Sequence, residues 1–254
     1  MKYLNNSNLF SEISAWNMVP SMKGGGLFGQ GRYIDIDSGK VSKFPAMDAS
    51  PMWLYTNPQP DIPCIELKAI SDGFGFIAKM CRDCWKIVVV PRSFHQLMQL
   101  YDLQKKMVEE DPECYCKCGT EPRKFIPWDY GGYFYARNVA DADKLKEYVK
   151  KRVSESLSPD VLVYRKLGCT EFELKYGPSD TYKRPERADE IEKYFWENVT
   201  AEKGATRQPE FIIQNVIQGW MLFAWGRGDM TVKLYNNGEP LFRPCTTYKK
   251  GEGQ

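Results

Sequence analysis

The chain has one histidine, His95, in 254 residues, which excludes multi-histidine metal centres and leaves histidine acid–base catalysis to a single side chain. Hydrolase signatures of the Gly-x-Ser-x-Gly and His-Glu-x-x-His kinds are missing too. His95 falls in the first turn of an expected helix and reads as a solvated or core-edge residue. No apolar run is long enough to span a bilayer. The longest, from Phe211 to Trp225, carries Gln214, Asn215 and Gln218, and reads as a buried helix and strand. Neither a membrane nor a small-molecule substrate is expected among the partners.

An excess of charge of one sign is also lacking. Lys and Arg number 35 against 33 Asp and Glu, a formal charge of +2, and both signs are interspersed without a basic tail. That balance weighs against a protein held on nucleic acid mainly by electrostatics, while leaving room for a local patch. Residues 1–7 contain no continuous apolar stretch of the secretory kind. The cysteines are therefore expected as thiols in a reducing, cytoplasmic compartment, or in a virus-associated protein, rather than as disulfides. No internal repeat is visible.

What the chain does have is cysteine in a pattern. Five of its 8 cysteines lie in Cys81-Arg82-Asp83-Cys84 and Cys114-Tyr115-Cys116-Lys117-Cys118-Gly119. Thiolates are strong ligands for Zn²⁺ and iron–sulfur clusters, and Cys-x-x-Cys is the usual turn that offers two sulfurs to one metal. The expected ligand set is Cys81, Cys84, Cys116 and Cys118, with Cys114 as a substitute in the second arm. Four thiolates around Zn²⁺ leave no open position for water, so the expected zinc is structural and the protein non-enzymatic. Cys64, Cys169 and Cys245 stand alone and read as buried apolar thiols.

Residues 85–166 carry the clearest periodicity. Trp85 to Val90 reads as a buried strand and Ser93 to about Glu110 as a capped helix. Strands at 123–128 and 132–137, a helix from Asp141 to about Ser156 and a strand at 161–166 follow. The order predicts an α+β, ferredoxin-like split-βαβ core with an inserted four-cysteine, zinc-ribbon-like arm. In that arrangement the first helix returns antiparallel to the first strand, which brings the two cysteine arms to one end. Beyond it, 170–176 and 230–235 read as strands, giving extra C-terminal β-structure, with a helix from Arg187 to Asn198 between them. Residues 61–254 are expected as one domain containing the metal-binding insertion, at about 81–118.

Residues 1–60 read as an irregular, Gly-rich N-terminal arm. It includes a short helix near Phe10 to Trp16, a flexible glycine run over 23–32 and a hairpin over Tyr33 to Lys43, turning at Ser38-Gly39.

Two surfaces remain. Glu171, Glu173 and Lys175 share one face of the expected strand 170–176 and read as a solvated face carrying its own counter-charge. Tyr133, Tyr135 and Arg137 alternate onto one face of the third strand, and the segment from Tyr130 to Arg137 loosely resembles the aromatic strand of RNA-recognition motifs. Arg165 and Lys166 add charge on the neighbouring strand. The combined expectation is a zinc-stabilised protein that contacts nucleic acid or a nucleic-acid-processing complex. The alternatives are a structural or assembly subunit of a larger complex, whose partners are protein subunits, and an iron–sulfur redox protein.

Overall fold

A six-residue run of β-branched character, Trp85–Val90, organises the molecule. The computed structural model describes residues 32–34, 40–43, 51–58, 62–200, 207–239 and 241. In chain order the strands and helices are β1 (Arg32–Ile34), β2 (Val41–Lys43), β3 (Trp53–Asn57), α1 (Cys64–Phe74), α2 (Lys79–Arg82), β4 (Trp85–Val90), α3 (Phe94–Glu110), β5 (Cys116–Thr120), β6 (Tyr130–Ala136), α4 (Val139–Ser156), β7 (Leu162–Leu167), α5 (Thr170–Tyr176), α6 (Ala188–Asn198) and α7 (Glu210–Gly226), with 3₁₀ turns at Ser179–Thr181 and Met230–Leu234. The protein is α+β. Five strands form one sheet in the order β3-β5-β6-β4-β7, every neighbouring pair antiparallel. β1 and β2 form a separate antiparallel pair in which Ile34 is in register with Val41.

The two faces of the sheet are covered differently. On one, Ile87, Val89 and Phe134 meet Leu97, Leu100, Leu103 and Met107 of α3 and Val149 and Val153 of α4, all essentially buried. Ser93 starts α3 as expected, its hydroxyl accepting from the Gln96 amide. The same core extends through α7 by way of Ile212, Val216, Trp220 and Ala224. Trp220 Nε1 donates to the Met52 carbonyl at 2.9 Å, so α7 clips the edge strand β3 onto the layer. Asp229 ties the last described segment to the start of α3: its carboxylate accepts from the Phe94 amide at 2.5 Å, the Tyr130 hydroxyl at 2.7 Å and the Thr231 amide at 3.0 Å.

The opposite, open face is roofed by α1, α2 and α5. Leu67, Ile70, Phe76, Ala78 and Phe195 join α1 to α6, and Phe172 of α5 packs with Ile77 and Tyr182.

Several expectations need correction. The second strand is not 123–128, which follows Pro122, contains Pro127 and forms turns; it is the cysteine arm itself, Cys116–Thr120. Its pattern of small thiols alternating with Lys117 suits a pleated surface better than a segment flanked by proline. Residues 170–176 are helical. With two acids in the first turn near the positive end of the helix dipole and one buried residue, Phe172, the segment needs only a single apolar anchor, which a short period-2 reading cannot distinguish from a strand. The 230–235 segment is a 3₁₀ turn capped by Asp229, and 210–226 is one continuous helix, so the C-terminal described residues carry no added β-structure. The helix expected near Phe10 and most of the glycine run lie outside the described residues.

Gly119 pairs with Trp53 across β5 and β3. A Cβ there would stand 2.2 Å from the Met52 carbonyl oxygen and 2.8 Å from the Trp53 ring, whereas at Gly131 the nearest atoms are side-chain atoms at 3.4 Å. Gly119→Ala is expected to lower stability by about 1–3 kcal/mol through overpacking against backbone, and Gly131→Ala by clearly less. Urea melts of the two variants check the contrast.

Candidate functional site: a cationic, aromatic cavity on the open sheet face

Alternation in the strands decides what reaches the open face. Trp53 and Tyr55 of β3, Lys117 of β5, Tyr133 and Tyr135 of β6, Lys86 of β4 and Lys166 of β7 all point to the same side. With α1, α2 and α5 they enclose a cavity of about 590 Å³. That volume is in the range of ligand pockets in general.

Four cations in the cavity are surrounded differently. Arg123 forms a fork on the fully buried Glu121, with contacts of 2.8 and 2.6 Å, and its remaining nitrogen reaches Glu171 at 2.8 Å. Glu121 also accepts from the Tyr133 hydroxyl at 2.6 Å. Lys166 is paired with Glu173. Lys86, 9% exposed, donates to Cys169 Sγ at 3.0 Å. Lys117 has no carboxylate in ion-pair range among the described residues; its ammonium instead lies 4.5 Å from the Trp53 ring centre, 5.4 Å from Tyr55 and 5.6 Å from Tyr133. Such an aromatic cage favours a cation electrostatically. Burial, helped by the charge of Lys86, nevertheless pushes the Lys117 ammonium down to about 8.

The tyrosines are less accessible than an RNA-recognition surface requires. Tyr133 is 9% exposed, and burial followed by the Glu121 charge holds its hydroxyl well above the ordinary range. The five residues expected to contact nucleic acid divide three ways. Tyr133, Tyr135 and Lys166 line the cavity, whereas Arg137 lies beyond the end of β6 at a second, smaller hollow beside Cys114 and Tyr148. Arg165 belongs to the other face, where it stacks on Trp85 and pairs with Asp143 of α4. Adjacent residues of one strand point to opposite sides, so Arg165 and Lys166 cannot act together.

The cysteines are distributed differently from the expected set. Cys116 and Cys118 turn toward α3 and are buried in the main core with Cys114. Cys81 and Cys84 line the cavity on the other face. β6 also intervenes between β4 and β5, which sets the two arms two strand spacings apart, about 10 Å. Cys81, Cys84, Cys116 and Cys118 are therefore not brought together. Among the described residues no three His, Cys, Asp or Glu side chains are placed to hold one metal ion. Cys64 and Cys169 are not isolated core thiols: both line the cavity, Cys64 as the exposed first residue of α1 and Cys169 at the start of α5. Cys245 lies outside the described residues.

Sequence reasoning passed over Lys86, Lys117, Trp53 and Tyr55. A signal existed for the first two: each is a lone charge inside an otherwise apolar strand, a position that a solvated face does not require. Glu171 and Glu173, expected as a solvated pair, instead neutralise Arg123 and Lys166.

Compared with protein-family models, with curated proteins and with solved structures, the chain gives no match.

Removing the Glu121 carboxylate strands Arg123 and the Tyr133 hydroxyl in a half-dry setting. Glu121→Ala is expected to cost about 3 kcal/mol, the range for breaking a buried, hydrogen-bonded pair, and Glu121→Gln less because the amide oxygen still accepts. Chemical denaturation of the two variants measures both.

Proposed function

We propose that this protein is a non-enzymatic nucleic-acid-contacting protein whose sheet-face cavity takes one unpaired nucleotide of a strand. The observation that carries this reading is the Lys117 ammonium, held among Trp53, Tyr55 and Tyr133 with no carboxylate partner among the described residues. Charge of this kind suits a phosphate, and rings at its side suit a base, whose π-face stacks on aromatics whatever its identity. Because the face is roofed, the expectation of an open stacking platform narrows to a pocket for a single residue. The order β7-β4-β6-β5, with α3 and α4 on one face, supports reading the underlying unit as a split βαβ, to which β3 adds an edge strand. In that family of arrangements the face away from the helices is where such contacts are made.

A cavity of this size takes a nucleotide but not a duplex, so binding is expected to prefer single strands. Lys117→Gln should weaken retention of a single-stranded oligonucleotide by roughly tenfold, in line with the loss of one desolvated charge contact of about 1.4 kcal/mol or more. Arg165→Gln, on the opposite face, should leave it unchanged. Because the Lys117 ammonium loses its proton at about pH 8 rather than near 10.5, affinity should be full below that pH and fall as pH rises through it. Fluorescence anisotropy titrations across roughly pH 6–9 on wild type and Lys117→Gln test both statements; equal affinity for the two proteins sinks the proposal.

A further inference from the structure

Four thiols from separate stretches of chain line the same cavity. Cys64 opens α1, Cys81 lies in α2, Cys84 precedes β4 and Cys169 lies between β7 and α5. Backbone contacts fix their neighbourhood. The Gly168 amide donates to the Cys84 carbonyl at 2.9 Å, and Gly168 itself has φ of 72°, a left-handed turn that delivers Cys169 back to the cavity. Cys81 and Cys169 pack on the same group of Ile77, Phe172 and Tyr182.

All four thiols line the one cavity. A single zinc ion needs its sulfurs about 2.3 Å from one centre, and no three ligands among the described residues are so placed. An iron–sulfur cluster binds each cysteine at its own edge, so its ligands stand further apart around an enclosed space. Charge supplies a second, independent sign. Four thiolates on a cluster leave it anionic overall, and of the charged groups lining the cavity the buried Lys86 already donates to Cys169 Sγ at 3.0 Å. Hydrogen bonds to ligand sulfurs are an established means of holding such clusters.

We propose that Cys64, Cys81, Cys84 and Cys169 ligate an iron–sulfur cluster in the cavity, with Lys86 hydrogen-bonded to a ligand sulfur. The ligands come from α1, α2 and the turn after β7, while Trp53, Tyr55 and Lys117 line the same cavity, so each reading is tested by its own variants. It takes over the Cys-x-x-Cys pair of the cysteine pattern and exchanges the second arm for two cysteines that the sequence left unconnected.

The full chain, purified without oxygen, is incubated with a preformed, thiolate-ligated iron–sulfur cluster. Transfer is a ligand exchange in which each protein thiol forms an Fe–S bond, the corresponding Fe–thiolate bond of the donor breaks, and the proton passes to the leaving thiolate. No electron is transferred. After gel filtration, protein-bound iron, sulfide and visible charge-transfer absorption are measured. The expected result is about one cluster per chain, lost in Cys64→Ser and in Cys169→Ser and kept in Cys116→Ala and Cys118→Ala, with far-UV circular dichroism showing each variant folded. Lys86→Met should keep the ligands but weaken cluster retention by roughly 10–100-fold, the range for outer-shell partners. The proposal is overturned if the folded wild type retains no iron, if it takes up zinc that the donor cluster does not displace, or if loss of iron follows Cys116 and Cys118 instead of Cys64 and Cys169. Oligonucleotide affinity of Cys64→Ser, measured alongside, separates failure of this site from failure of the nucleotide reading.

Discussion

Two lysines facing the same dry side of a sheet set the terms for the rest of this structure. Lys86 and Lys117 stand on β4 and β5 with β6 between them, both on the open face and both roofed by helices. A buried, unpaired ammonium costs several kcal/mol, and two of them in reach of each other cost more. The surroundings offset this with polarisable groups: three rings around Lys117, a thiol and the Tyr135 ring at Lys86. Of the carboxylates lining the cavity or beside it, Glu121 and Glu171 are committed to Arg123 and Glu173 to Lys166, while Glu66 of α1, fully buried, adds a fourth. Three of these acids are answered by other cations, and Lys117 has rings but no carboxylate within ion-pair range among the described residues, so it is at Lys117 that an anionic guest is favoured.

That arrangement depends in turn on the opposite face being conventional. α3 and α4 bury a continuous apolar layer against β4, β5 and β6, and α7 closes it at the edge through Trp220. Stability is concentrated there. A sheet anchored on one side tolerates polar residues on the other, where α1, α2 and α5 are attached through smaller apolar groups and ion pairs.

Legibility followed the length of the pattern. The helices at 94–110 and 139–156 and the strands at 85–90 and 130–136 were readable because their periodicity runs for several turns or alternations; Ser93 marked the first helix start, while the second was read from Asp141, two residues inside it. The seven residues 170–176 were not, because Glu171, Phe172 and Glu173 satisfy a period of 2 and a helix with one buried side equally well. β5 was missed for a different reason. Cys116 and Cys118 read as ligands, and a residue assigned to chemistry was not considered as core. Thiols are small apolar groups that bury readily, and these two alternate with a lysine in the same way as any half-buried strand.

The strand order explains why spacing along the chain misled about the metal arms. Placing Cys81–Cys84 at the start of one strand and Cys116–Cys118 after the returning helix does bring both to the same end of the layer. It does not bring them to the same column, because the hairpin partner β6 inserts between β4 and β5, nor to the same face, because the pleat sends Cys84 with Lys86 and Cys116 with Phe134. Adjacency across this sheet belongs to β4 and β7. The chain leaving β7 therefore returns beside Cys84, where the Gly168 amide meets the Cys84 carbonyl, and delivers Cys169 there. Sequence separation between Cys84 and Cys169 hides a contact that the sheet makes unavoidable, while the short separation to Cys116 suggests one that the same sheet prevents.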